Sequence, residues 1–195
     1  MKKVLLINAH QRYDNFAEGR LNKTLLSAAQ NYFQQLGYET RTTTVEEGYD
    51  IAQEHEKYTW ADIVFVQTPV YWMSVPYLFK KYIDEVFTMG MGEVLCKDDG
   101  RTRKDPSKKY GSGGLMNGKL YMISTTWNAP LEAFEDPKQF FEGNDVDALF
   151  LWLHKNFQFF GMTPLPTFSC YDVLKNPTIE DDLTRFATHL KTNVN

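Results

Sequence analysis

Hydrophobic and polar positions alternate along the chain in two ways, as short fully apolar runs and as longer amphipathic stretches. The first apolar run, Lys3 to Asn8, is continuous in Val, Leu and Ile until a polar residue ends it. That is the pattern of a strand buried on both faces, and so of a parallel sheet. After a polar loop, Leu21, Leu25, Ala28, Ala29, Tyr32, Phe33 and Leu36 recur at three- and four-residue spacing with Gly37 behind them, which predicts an amphipathic helix with a glycine C-cap. Glu39 to Val45 is Thr-rich and more polar, a strand expected at an outer position. Asp50 is placed to cap a short helix reaching about Tyr58, and Asp62 to Gln67 predicts a second buried strand.

The clearest helix follows. Val75, Leu78, Phe79, Tyr82, Ile83, Val86 and Phe87 keep helical spacing without a break, and Pro76 stands at the start. Lys119 to Thr125 predicts another strand. Val146, Leu149, Phe150, Leu153, Phe157 and Phe160 predict a helix closed by Gly161, and Leu165 to Tyr171 a last strand. Asn176 and Pro177 open a final helix carrying Leu183, Phe186, Ala187 and Leu190. Five strands alternating with helices predict a doubly wound α/β fold, expected as one domain over residues 1–195. Between Thr88 and Gly118 the alternation stops. This stretch contains the basic segment Lys97 to Lys109 and the small-residue run Gly111 to Gly114 beside Tyr110. A loop this long on a rigid scaffold is expected to be functional, the alternative being a solvated excursion.

Composition narrows the class. The chain has 195 residues, 43% of them hydrophobic and 24% charged, with a formal net charge of −4. That is enough chain to build a core without disulfides or metal. No apolar run approaches the roughly 20 residues of a membrane span. The apolar segment after Met1, Lys2 and Lys3 stops at Asn8, too short for a secretory signal, so a cytoplasmic location is expected. Cys96 and Cys170 are far apart and read as free thiols. The mild acidity argues against nucleic acid as the main partner. The 14 Phe, 11 Tyr and 4 Trp are more rings than packing alone is expected to need.

Open α/β sheets bind ligands outside the carboxyl ends of their strands, where strand order reverses. Three loops meet that description. Neither G-x-G-x-x-G nor G-x-x-x-x-G-K-[ST] follows the first strand, so Rossmann-type dinucleotide binding and P-loop chemistry are disfavoured. Gly19, Arg20, Leu21 and Asn22 instead offer a bare helix start suited to a phosphate, with His10 close in sequence as a possible ring N–H donor. An ordinary capped helix and a structural histidine are the plain alternatives. Thr68 to Met73 places Tyr71 and Trp72 after Pro69 at a strand end, and Thr126 to Pro130 adds Trp127 beside Asn128. Together with Tyr110 these form the wall expected for a flat heterocycle. His55 and His189 read as solvated helix positions and His154 as a packed one. Metal ligation and nucleophilic hydrolysis lack their motifs.

The segments Gly19-Arg20-Leu21-Asn22, TPVYWMSVP at Thr68 to Pro76, DGRTRKDPSKKYGSGG at Asp99 to Gly114, TWNAP at Thr126 to Pro130 and PLPTF at Pro164 to Phe168 closely resemble the modulator of drug activity B family. These are FAD-containing NADPH:quinone oxidoreductases of flavodoxin-like fold. The resemblance implies a five-stranded parallel sheet of order 2-1-3-4-5 with helices on both faces, a homodimer, bound FAD, and NADPH or NADH as electron donor. It implies that Ala17, Glu18, Gly19, Arg20, Leu21, Asn22, Lys23 and Thr24 hold the pyrophosphate and ribose. Pro69, Val70, Tyr71 and Trp72 would line the flavin ring, which Tyr110, Thr126, Trp127, Asn128 and Ala129 would complete, and His10 matches a phosphate-contacting histidine of related quinone reductases. The tyrosine and histidine that serve as a proton relay in those relatives are not matched, since Phe140 to Asp147 holds Phe141 and no histidine.

On this reading a quinone takes two electrons in a ping-pong cycle through flavin N5, with Asn128, Tyr71 and Trp72 closest to the chemistry. Asn128 is the candidate for hydrogen bonding where charge develops on the flavin. Arg101 and Arg103 are candidates for the extra phosphate of NADPH. Two other readings belong to different classes. A flavodoxin-type electron carrier would use a Ser/Thr-rich phosphate loop, and Ala9 to Lys23 has neither residue. A redox-sensing ancillary subunit of a potassium efflux system could dock through the basic 97–109 loop.

Overall fold

In the computed structural model, which describes residues 1–194, the apolar runs form the strands and the amphipathic stretches cover them. The elements in order are β1 (Lys3–Asn8), α1 (Arg20–Gln35), β2 (Glu39–Thr44), α2 (Ile51–Trp60), β3 (Ile63–Pro69), α3 (Tyr77–Tyr82), β4 (Leu120–Thr126), α4 (Glu132–Glu135), α5 (Val146–Leu149), α6 (Leu151–Phe159), β5 (Thr163–Pro164), β6 (Phe168–Cys170) and α7 (Ile179–Asn193). The strands pair in parallel in the order β2-β1-β3-β4-β5, as expected. The fifth position is shared, because β6 also pairs with β4. Of the last strand expected over Leu165 to Tyr171, only Phe168–Cys170 is strand, and Thr163–Pro164, just before that range, pairs separately with β4. Pro166 has no N–H to give the ladder and falls in the gap between them.

Alternation along the central strands builds two cores. Leu5, Ile7, Val64, Val66, Tyr121 and Ile123 pack on one face, against Tyr58 of α2, Phe79 and Tyr82 of α3, and Leu153 and Phe157 of α6. Val4, Leu6, Ile63, Phe65 and Met122 pack on the other, against Leu25, Ala29 and Phe33 of α1 and Phe186 and Leu190 of α7. Cys96 and Cys170 are free and buried. Among the described residues, no helix is long and apolar enough to cross a membrane.

Three helices depart from the periodicity. The helix expected through Phe87 changes at Ile83 to a π-helical turn, Ile83–Phe87. His55 reaches its Val86 carbonyl, with Nε2 at 2.8 Å, and so is not a solvated position. His189 is tied in the same way to the Pro166 carbonyl at 2.9 Å. The Val146 to Phe160 stretch breaks at Phe150, whose ψ of 15° ends one helix and starts the next. The final helix begins at Ile179 rather than Asn176, and residues 173–175 form a turn before it.

One buried charge carries no sequence signal. Glu54 of α2 is buried and accepts from Thr43 Oγ1 at 2.9 and 2.8 Å, Tyr82 Oη at 2.7 Å and Lys57 Nζ at 2.6 Å. A carboxylate survives burial only when its lone pairs are filled in this way. The cluster fastens the start of the π-helical turn to α2 and β2.

Candidate functional site at the carboxyl edge of the sheet

β1, β3 and β4 are neighbours and end together, and hydrogen bonds carry the ladder past their ends. Ala9 donates its N–H to the Gln67 carbonyl at 2.9 Å, Val70 to Thr126 at 3.0 Å, and Trp127 to Cys170 at 2.9 Å. Three expected loops are thereby held side by side around one cleft. Its first lobe, about 250 Å³, is lined by His10, Ala17, Glu18, Gly19, Arg20, Leu21 and Asn22, together with Pro69, Val70, Tyr71, Thr126 and Asn128. Its second lobe, about 660 Å³, is lined by Val70, Tyr71, Trp72, Trp127, Asn128 and Ala129. The lobes share Phe16, Val70, Tyr71 and Asn128.

The first lobe ends on an uncapped helix start. Gly19 caps α1 at a φ of 79°, no side chain caps the helix, and its first turn holds no acidic residue. The first-turn amides therefore lack a protein acceptor at the positive end of the helix dipole. Glycine is required at this cap by conformation and by space, since a Cβ there would come within 2.8 Å of the His10 ring. Asn22 fixes the turn from below. Its Nδ2 donates to Asn8 Oδ1 at 2.6 Å and its Oδ1 accepts from Gln67 Nε2 at 3.1 Å.

His10 is 6% exposed, and burial holds its pKa below the ordinary histidine value, an effect that Glu46 partly offsets. Tyr71 donates its hydroxyl to the Gln11 carbonyl at 2.7 Å. Burial pushes this phenol up to about 12, so it remains protonated.

The second lobe is apolar and flat-walled. Trp72 is 94% exposed and sits with Met73 in a two-residue turn with φ of 50° and 58°, closed by Tyr71 and Ser74 bonding each other's backbone at 2.9 and 3.2 Å. Two consecutive left-handed residues that are not glycine cost roughly 1–2 kcal/mol each. That strain holds an indole out over the cleft. Trp127 behaves differently. It is 3% exposed, its Nε1–H donates to Thr125 Oγ1 at 2.8 Å, and Phe134 packs edge-on against it at 4.9 Å. It is the floor of the lobe and a core residue at once.

Three expected site residues lie elsewhere within the chain. Lys23 and Thr24 line the groove between α1 and α7, because the helix turns them away from the cleft after its first turn. Tyr110 lies against Phe159 at 5.5 Å and under the Arg101 guanidinium at 5.3 Å, in a groove with Met91 and Trp152. The cause is topological: the loop at 88–118 joins a helix to the start of β4, so it is rooted at the amino edge of the sheet. Arg101 is paired there with Asp99 at 3.0 Å. The sequence missed Phe141 and Lys175 in the second lobe and Val173, Leu174 and Ile179 in the first. Only the placement of the segment after β6 brings the last four to the cleft.

Comparison with known proteins agrees with this geometry. The family profile described as Flavodoxin-like fold matches residues 2–194. The chain is 46% identical over 188 residues to an uncharacterized protein of Schizosaccharomyces pombe, covering 96% of this chain and 95% of that one. It is 44% identical over 188 residues to the NADPH:quinone oxidoreductase MdaB of Haemophilus influenzae, covering 96% of this chain and 97% of the relative. A crystal structure of a Klebsiella pneumoniae protein superposes with a TM-score of 0.79 at 25% identity, covering 98% of this chain and 85% of that one.

Proposed function

The chain belongs to the flavodoxin-like family and, within it, to the group of the MdaB quinone oxidoreductase, and we propose that it is an FAD-dependent NAD(P)H:quinone oxidoreductase. One observation carries the reading: an uncapped helix start and a flat apolar lobe meet at Val70, Tyr71 and Asn128. The residues fit a flavin nucleotide. The amides and Gly19 of α1 suit its phosphates, Tyr71, Trp72 and Val70 suit its ring, and Val173, Leu174 and Ile179 extend the phosphate lobe with the apolar surface an adenosine would use. That extension favours FAD over FMN.

Bound flavin would supply two-electron redox chemistry, hydride uptake from NAD(P)H at N5 and delivery to a quinone in ping-pong order. The protein binds and orients. Pro69 and Val70 continue β3 rigidly into the cleft. Asn128 offers an amide where the two lobes join, suited to a hydrogen bond that strengthens as charge develops. Trp72 and Met73 cover an open face on which donor and quinone alternate. Tyr71 keeps its proton on the Gln11 carbonyl, so it acts as wall and anchor rather than acid.

A homodimer fits the remaining pieces. Met91 and Tyr110 are exposed at the groove beside α6, and Tyr110, remote from the cleft of its own chain, would complete a flavin site only in a second copy.

The test is spectroscopic. The purified protein is expected to be yellow, to release FAD on denaturation, to bleach with NADPH and to recolour with a quinone. A preparation that takes up no flavin would overturn the assignment.

A further inference from the structure

Glu46, just after β2, is outside every segment that the sequence ties to the cleft, yet it bears on His10. Its Oε2 lies 3.8 Å from His10 Nδ1, and its Oε1 accepts the Arg12 backbone N–H at 2.7 Å, which fixes the carboxylate in place. On the far side of the ring, Nε2 lies 3.4 Å from Tyr71 Oη. The phenol hydrogen is already given to the Gln11 carbonyl, so toward His10 this oxygen is an acceptor. Both ring nitrogens thus face acceptors. Neutral imidazole donates from one nitrogen only; imidazolium donates from both. The ring also lies against Gly19, at the uncapped start of α1.

We propose that Glu46 is a positioning residue of the cofactor site, holding His10 so that the ring becomes imidazolium when a phosphate settles at the start of α1. Cofactor binding then takes up a proton. The inference rests on the flavin nucleotide reading above. Before binding, burial keeps the ring largely neutral at pH 7; the arriving anion tips the balance that Glu46 has prepared.

The other charges around the ring sit in local pairs. Glu18 and Arg20 pair at 2.8 Å beside the helix start, and Arg12 and Asp14 at 2.8 Å in the loop after β1. Tyr13 faces Tyr71 with ring centroids 5.5 Å apart. Each ion pair is internally neutral, so Glu46 and the Ala17 carbonyl favour the charged ring against burial and the positive end of α1, and of these groups Glu46 alone carries a full charge.

Calorimetric titration of flavin-free protein with FAD, in buffers of different ionisation enthalpy between about pH 6.5 and 8.5, counts the protons taken up. FAD affinity should fall with rising pH, by up to about tenfold per unit as expected for one linked proton. Glu46→Gln keeps the acceptor for Arg12 N–H and removes the charge; it should bind FAD with a flattened pH profile and little proton uptake. Riboflavin, which has no phosphate, should bind without proton uptake in either protein. If Glu46→Gln takes up as many protons with FAD as the parent, the role of Glu46 is overturned. If neither FAD nor riboflavin binds the parent protein, the cofactor reading itself fails.

Discussion

Asn22, in the first turn of α1, donates from Nδ2 to Asn8 Oδ1 at 2.6 Å, tying the helix start to the end of the first strand. The same side chain accepts from Gln67, so a single buried amide sets the height of the first lobe above the two central strands. Replacing it by Leu removes a partner from the buried Gln67 amide and from the half-buried Asn8 amide at once. Asn22→Leu is expected to cost about 1–3 kcal/mol of stability and to weaken flavin binding. Denaturant unfolding with and without added FAD measures both effects.

The Trp72 and Met73 turn has the backbone in which Asn-Gly is the favoured pair. The double variant Trp72→Asn with Met73→Gly relieves left-handed strain and is expected to raise stability by about 1–2 kcal/mol. Quinone turnover should fall, because the wall over the open face is gone while the phosphate lobe is intact. Thermal unfolding and steady-state kinetics of the same preparation would decide whether the strain serves the site.

Asn128 lines both lobes. Asn128→Ala is expected to shift the flavin reduction potential and to lower turnover on the order of 100-fold, the effect of losing one donor aimed at developing charge. An unchanged potential together with unchanged turnover would remove Asn128 from the chemistry.

Asp147 titrates below its ordinary value, chiefly because it accepts the His154 Nε2 hydrogen bond at 3.1 Å. A carboxyl held low in the folded state contributes stability that is fully present above its unfolded value of about 3.9 and is lost as pH falls through the lower folded value. Asp147→Asn should therefore lower stability near pH 7, where the contribution is fully present, and flatten the acid limb of the stability curve below about pH 4. His154 is buried and also bonds Tyr121 Oη through Nδ1 at 2.8 Å, so chemical denaturation across that range reads how firmly α6 is latched to β4.

Most of the architecture was legible because its signals are local. Continuous apolar runs at Lys3 to Asn8 and Asp62 to Gln67 can be buried only between two layers of helix, and Asp50 caps α2 through the Gln53 N–H at 3.0 Å as its residue type suggested. The uncapped start of α1 was legible for the same reason, since Gly19 precedes the helix without a capping side chain, although an ordinary capped helix stood as its alternative. The breaks were less so. Pro166 splits the fifth strand, and the π-helical turn at Ile83–Phe87 keeps the apolar spacing of an ordinary helix while adding a residue to one turn.

The order of residues was enough to specify a doubly wound parallel sheet, the three loops at its carboxyl edge and the aromatic residues gathered there, because period, turn chemistry and strand ends act over a few residues. It could not tell a ring that stands over the cleft from one that supports it from below, or a loop rooted at one edge of the sheet from one rooted at the other. Trp72 and Trp127 look alike in sequence; strand register and the packing of Phe134 expose one and bury the other. Glu46 and His10 are separated by a helix and a strand, and meet because β1 and β2 are parallel neighbours in register from Lys3 with Glu39 to Asn8 with Thr44. Contacts of that kind depend on which strands lie side by side, a property of the whole chain collapsed together, and the tertiary structure alone settles them.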